Sequence, residues 1–158
     1  MVLNHSSKTA LFAGSFNPFT LGHLRIVERA LTIADRVVVA VGYNINKGVP
    51  QDLDSRIDQI RRSVAPLNKP SEAERVQVAG YSGLTADFAR KIGADFLVRG
   101  IRGVADFEYE RNLADVNLKV LGIDTVLLCS EPEHGYISSS VVRELAANGF
   151  DVSSLLPN

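Results

Sequence analysis

Five short apolar runs alternate with helix-spaced apolar stripes along this chain, and that alternation leaves few folds open. Residues 37–41 (VVVAV) are continuous and mostly β-branched, as expected of a strand buried on both faces of a parallel sheet. Residues 9–13 (TALFA), 76–79 (VQVA), 96–99 (FLVR) and 125–129 (TVLLC) read as four more strands. Between them Leu24, Val27, Leu31 and Ala34 recur at helical spacing, as do Ile57, Ile60 and Val64, with Pro66 placed to stop the second helix. Leu84, Phe88 and Ile92 form a third stripe, closed by Gly93 in the manner of a left-handed helix end. Residues 107–121 and 139–147 complete the set of helices. The pattern predicts an α/β chain with a five-stranded parallel sheet and helices on both faces. Ligands of such sheets bind beyond the carboxyl ends of the strands.

The 158 residues suit a single domain spanning 1–158, with 1–8 as a flexible N-terminal segment. One cysteine, Cys129, excludes an internal disulfide framework. A net charge of −1 provides no global field to draw in nucleic acid or an anionic membrane. The polar N-terminus has no signal-peptide core and the apolar runs are too short to span a bilayer, so the expected location is cytoplasmic.

Chemistry gathers where the sheet rule places it. After the first strand come Gly14, Ser15, Phe16, Asn17, Pro18, Phe19, Thr20, Leu21, Gly22 and His23. Thr20 is a helix N-cap, which puts His23 in the first turn beside free backbone N–H groups at the positive end of the helix dipole, a ready anion site. The segment is neither a GxGxxG dinucleotide fingerprint nor a Walker loop. Lys47 follows the second strand; taken alone it reads more readily as a solvated loop lysine than as a ligand contact. Arg99, Gly100, Ile101, Arg102 and Gly103 follow the fourth strand, where guanidinium forks match phosphate geometry or simply face solvent. In the next helix Phe107, Glu110, Leu113, Ala114, Asn117 and Leu121 share a face, so Glu110 interrupts an apolar stripe and needs a partner or a ligand. That partner is Arg99 or Arg102, or a nucleotide, and both can hold together. After the fifth strand Tyr136, Ile137, Ser138, Ser139 and Ser140 open a helix and offer either a plain N-cap or a third phosphate-binding element.

Thr20, Leu21, Gly22 and His23 match the [HT]-x-G-H signature of the nucleotidylyltransferase superfamily. With the run from Arg99 to Glu110 (RGIRGVADFEYE) and Ile137 to Ser140 (ISSS), the chain resembles the bacterial phosphopantetheine adenylyltransferase family across nearly its whole length. That resemblance implies a Rossmann-like domain that transfers the adenylyl group of ATP to 4′-phosphopantetheine, giving dephospho-coenzyme A and pyrophosphate with Mg²⁺. It implies that Ser15 and His23 contact phosphates, with His23 stabilising the transition state. It implies that Lys47 and Arg99 hold the acceptor phosphate and that Thr85 meets the pantetheine arm. The ATP site would comprise Ser15, Phe16, His23, Gly100, Ile101, Arg102, Glu110, His134, Gly135, Tyr136, Ile137, Ser138, Ser139 and Ser140. No protein cage for the metal is implied, Mg²⁺ being held by substrate phosphates and water. A homo-hexamer and inhibition by coenzyme A are also implied. The rival readings are an adenylyl- or cytidylyltransferase for another phosphorylated acceptor, and a non-catalytic nucleotide or coenzyme A sensor. Ser15 stands where the family usually has threonine, which keeps a hydroxyl.

Overall fold

A computed structural model describes residues 6–70 and 72–158. Its five strands are β1 (Thr9–Gly14), β2 (Arg36–Tyr43), β3 (Val76–Ser82), β4 (Phe96–Ile101) and β5 (Asp124–Cys129). All neighbouring pairs are parallel and the sheet order is β3-β2-β1-β4-β5. The helices are α1 (Leu21–Ala30), α2 (Leu53–Val64), α3 (Thr85–Ile92), α4 (Val104–Leu121) and α5 (Ser139–Ala147).

Alternation along each buried strand divides the core in two. Ala10 and Phe12 of β1, with Val37, Val39 and Val41 of β2, pack against Ile26 and Val27 of α1 and Ile57 and Ile60 of α2. Leu11, Ala13, Val38 and Ala40 face the other way, against Ala86 and Ala89 of α3. Helices therefore cover both faces, as the sequence predicts. Chain order reverses beside β1, because β2 and β3 lie on one side of it and β4 and β5 on the other. The carboxyl ends of β1 and β4 consequently flank a topological switch point, where open sheets hold their ligands.

The strands run longer than their apolar runs. Gly42 and Tyr43 stay in register with Tyr81 and Ser82, so β2 and β3 reach further towards the ligand edge than residues 37–41 and 76–79 imply. Residue 71 and residues 1–5 of the segment read as flexible lie outside the described residues. Lys8 is tied down: its N–H donates to Asp35 at 2.7 Å and its Nζ pairs with Asp95 at 3.0 Å. Gly93 has φ 67° and closes α3 in the left-handed region, as its position predicts.

The fourth helix differs from its sequence reading. Only the far end of its stripe, at Leu121, packs against the core. Glu110 is the buried residue of α4, while Phe107 and Leu113 are exposed. Leu113, Ala114 and Asn117 instead form the wall of a cavity. Periodicity identifies a face that turns away from water, and a ligand cleft satisfies it as well as a sheet does.

Candidate active site

The switch point opens into two adjoining cavities. One, of about 360 Å³, lies between the ends of β1 and β4 and the α3 and α4 helices, and includes Tyr81, Thr85, Leu113 and Asn117 in its wall. The other, of about 300 Å³, is lined by Phe16, Thr20, Gly22, His23, Gly100, Arg102, Ile137, Ser138, Ser139 and Ser140. Ala13, Gly14, Ser15, Arg99 and Glu110 belong to both walls. Two ligands seated in these cavities would meet at Ser15 and Arg99.

Thr20 caps α1 as its sequence position predicts. Its hydroxyl accepts from the His23 N–H at 3.4 Å, and its own N–H donates to His23 Nδ1 at 2.9 Å. This is a capping box in which histidine takes the place usually filled by Glu or Gln. The bond fixes the tautomer: Nδ1 accepts, so the neutral ring carries its proton on Nε2. Aromatic rings surround the imidazole, with Phe19 stacked at 5.5 Å and Phe16 edge-on at 5.1 Å. Burial pushes the His23 pKa down from 6.5 to about 4, and the charges of Arg102 and Arg99 act in the same direction. At neutral pH His23 is an uncharged, rigidly aimed N–H donor.

Phe16 sits in the left-handed region with φ 45°, the one such non-glycine among the described residues. That conformation costs on the order of 1–3 kcal/mol and persists where packing over-determines it. Its ring is buried between Phe12, Phe19 and His23. A Cβ on Gly14 would come within 3.1 Å of that ring, so the absence of a side chain at Gly14 makes room for Phe16.

The arginines resolve an open alternative. Arg99 Nε and Nη2 donate to the two oxygens of Glu110 at 2.8 and 2.7 Å, and its Nη1 donates to the Ala13 carbonyl at 2.5 Å. Arg102 pairs with Asp106 instead, at 2.8 Å, and its hydrogen bond holds that carboxyl below its usual range. Glu110 thus answers its burial by pairing with Arg99 and at the same time orients that guanidinium in the shared wall. Of the five N–H bonds of Arg99, two remain for a ligand.

The serine run divides its work. Ser138 caps α5 by accepting from the Val141 N–H at 3.2 Å, and the Ser139 hydroxyl donates to the Pro18 carbonyl at 2.8 Å. Other sequence-predicted residues lie apart. Lys47 is exposed in a 3-10 turn, Ile45–Lys47, and lines neither cavity; Ile101, His134, Gly135 and Tyr136 do not line them either. The sequence reading missed Asp106, Arg56 and Arg143. Asp106 had a signal in its spacing, four residues after Arg102. Arg56 and Arg143 look like ordinary charges on a helix surface, yet they donate to the carbonyls of Ser15 and Asn17.

The acids of both cavity walls, Asp106 and Glu110, are paired with arginine. Among the described lining residues no carboxylate is left to cage a metal. A magnesium ion held by substrate phosphates and water fits that donor set. Away from the lining, Glu131, Glu133 and His134 bring one ligand atom each within 4.8 Å of one another.

A family model described as cytidylyltransferase-like matches residues 11–145. A phosphopantetheine adenylyltransferase from Porphyromonas gingivalis is 52% identical over 148 residues, covering 94% of this chain and 93% of the relative. One from Bacteroides fragilis is 44% identical over 150 residues, covering 95% and 96%. The chain belongs to the phosphopantetheine adenylyltransferase family. The wider fold extends further: a bifunctional NMN adenylyltransferase/ADP ribose pyrophosphatase from Francisella tularensis, complexed with AMP and a manganese ion, superposes with a TM-score of 0.63 at 16% identity, covering 96% of this chain and 44% of that one. At that identity the likeness concerns the fold alone. In this chain residues Thr20, Leu21, Gly22 and His23 coincide with the capping box that orients His23.

Proposed function

We infer that this chain transfers the adenylyl group of ATP to 4′-phosphopantetheine, yielding dephospho-coenzyme A and pyrophosphate in coenzyme A synthesis. The observation that carries the reading is the meeting of two cavities at Ser15, Arg99 and Glu110, immediately beside His23. The cavity bounded by α3 and α4 takes the acceptor, with Thr85 against the pantetheine arm and Arg99 on its phosphate. The cavity bounded by α1 and α5 takes ATP. Ser15, Phe16, His23, Gly100, Arg102, Ile137, Ser138, Ser139 and Ser140 surround the nucleotide there, with Glu110 acting through Arg99. Lys47 lies in the turn after β2; its reach to the phosphates requires that turn to close over the site. Ile101, His134, Gly135 and Tyr136 flank the same pocket in sequence.

An oxygen of the acceptor phosphate attacks the α-phosphorus of ATP in line. A new P–O bond forms, the bond from the α-phosphorus to the bridging oxygen breaks, and pyrophosphate leaves with that electron pair. The nucleophile is already an anion near neutral pH, so no strong general base is required. Catalysis is positioning and charge stabilisation. His23 Nε2–H donates to a phosphate oxygen as charge builds there, and the neutral ring needs no proton from solvent to do so. When bound, Mg²⁺ offsets phosphate charge as a Lewis acid.

His23→Ala lowers turnover far more than it weakens substrate binding; an unchanged turnover rate would remove the role assigned to this ring. Arg99→Ala chiefly impairs acceptor binding, and calorimetry showing intact affinity would count against the acceptor-phosphate assignment. We further propose a cytoplasmic homo-hexamer inhibited by coenzyme A. Val104, Phe107, Tyr109, Val116 and Val120 leave α4 with exposed apolar surface that assembly would cover. No helix of the described residues is long and apolar enough to cross a membrane.

A further inference from the structure

The end of β1 and the turn that leads to α1 are gripped at alternate carbonyls by three arginines from three elements. Arg99 of β4 donates to the Ala13 carbonyl, Arg56 of α2 to that of Ser15 at 2.9 Å, and Arg143 of α5 to that of Asn17. Between the last two lies Phe16, with φ 45°, whose buried ring stands edge-on to His23 at 5.1 Å. A strained residue persists only where its surroundings over-determine it. Here the carbonyls of the residues before and after it, Ser15 and Asn17, each accept from a guanidinium.

Resting on the reaction proposed above, we propose that Arg56 and Arg143 are positioning residues, gripping the carbonyls that flank Phe16 so that the strained turn keeps the Phe16 ring against His23. Arg56 is suited to this. Its side chain is 11% exposed, whereas its ion-pair partner Asp52 is 57% exposed. The guanidinium fork serves two acceptors at once, Asp52 on its own helix and Ser15 across the site. Its exposed ion pair alone gives little reason for a guanidinium to be drawn in so far. Arg143 joins the opposite side of the turn to α5 and also donates to Ser140. Neither residue lines a cavity, so each acts through the turn and not by touching substrate.

The test combines steady-state kinetics with the NMR titration of the His23 imidazole, in Arg56→Met, Arg143→Met, Arg56→Lys and Asp52→Asn. The chain has three histidines, so the His23 signal can be assigned by difference. The grip predicts that both methionine variants lose about tenfold or more in kcat, with KM for each substrate within about threefold. Their His23 titration midpoint moves up towards 6.5 from about 4 as the ring loses its aromatic seat. Arg56→Lys recovers part of both effects, and Asp52→Asn stays within about twofold of the unsubstituted protein. Folded methionine variants with unchanged kcat and an unmoved His23 titration would overturn the proposal, as would a loss confined to KM. Should Arg56→Met fail to fold, Arg143→Met, on the exposed side of α5, carries the same test. If the unsubstituted protein releases no pyrophosphate, the reaction reading fails, and the His23 titration still decides whether the arginines hold the turn.

Discussion

Acidification should unfold this protein partly through His23, and the size of the effect follows from its surroundings. The folded ring titrates near pH 4 because burial and two nearby guanidinium groups disfavour its cation, whereas the unfolded chain titrates at the ordinary 6.5. Below pH 6.5 the unfolded state takes up a proton that the folded state refuses. The contribution is therefore present in full above pH 6.5 and is lost as the pH falls through the folded value. A gap of this size corresponds to on the order of 3 kcal/mol between neutral pH and pH 4. Urea unfolding of the unsubstituted protein and of His23→Gln, measured from pH 8 to pH 4, isolates this one group, because the other titrating residues cancel in the difference. The difference curve should be flat above about pH 6.5 and fall steadily towards pH 4, with the histidine protein losing ground. Parallel curves, or a histidine protein that gains relative stability in acid, would refute the aromatic burial of a neutral imidazole.

Three other perturbations follow from the same geometry. Glu110→Leu leaves Arg99, a third exposed in the cavity wall, without its carboxylate and should cost about 1.5–3 kcal/mol in chemical denaturation. Gly14→Ala drives a methyl group against the Phe16 ring and should destabilise by about 1–3 kcal/mol in the same assay, with a fall in kcat. Thr20→Val removes the α1 cap and should lower stability by about 1 kcal/mol, while the backbone N–H of residue 20 still holds His23 Nδ1.

The fold was legible because its strands are buried on both faces. Residues 37–41 need no alternation to be recognised as a strand, and Gly93 marks the end of α3 without ambiguity. Strand ends were less legible. Gly42 and Tyr43 continue β2 only because Tyr81 and Ser82 stand opposite them, a fact of pairing that no local run contains. The α4 stripe was found at the right spacing, but spacing cannot distinguish a wall of core from a wall of cleft. The site shows the same division. Thr20 and His23 are three residues apart, so the N-cap and the place of His23 in the first turn are local and legible in sequence, whereas the return bond to His23 Nδ1 comes from the structure. Glu110 could be seen to need a partner, but choosing Arg99 over Arg102 required knowing that Asp106 already occupies Arg102. Arg56 and Arg143 reach the turn across 41 and 126 residues, and in sequence they are indistinguishable from solvated helix charges. The burial of His23 that sets its charge state is likewise a product of Phe12, Phe16 and Phe19 converging in three dimensions.

In the proposed reaction the two cavities hold a nucleotide and a phosphorylated acceptor for a single transfer. Pyrophosphate release with ATP, Mg²⁺ and 4′-phosphopantetheine, followed together with the mass of the product, tests it most directly. Pyrophosphate and dephospho-coenzyme A should appear in equal amounts, only when ATP and the acceptor are both present, and far more slowly with His23→Ala. Release that is indifferent to 4′-phosphopantetheine, or tight binding of both substrates without any product, would contradict it.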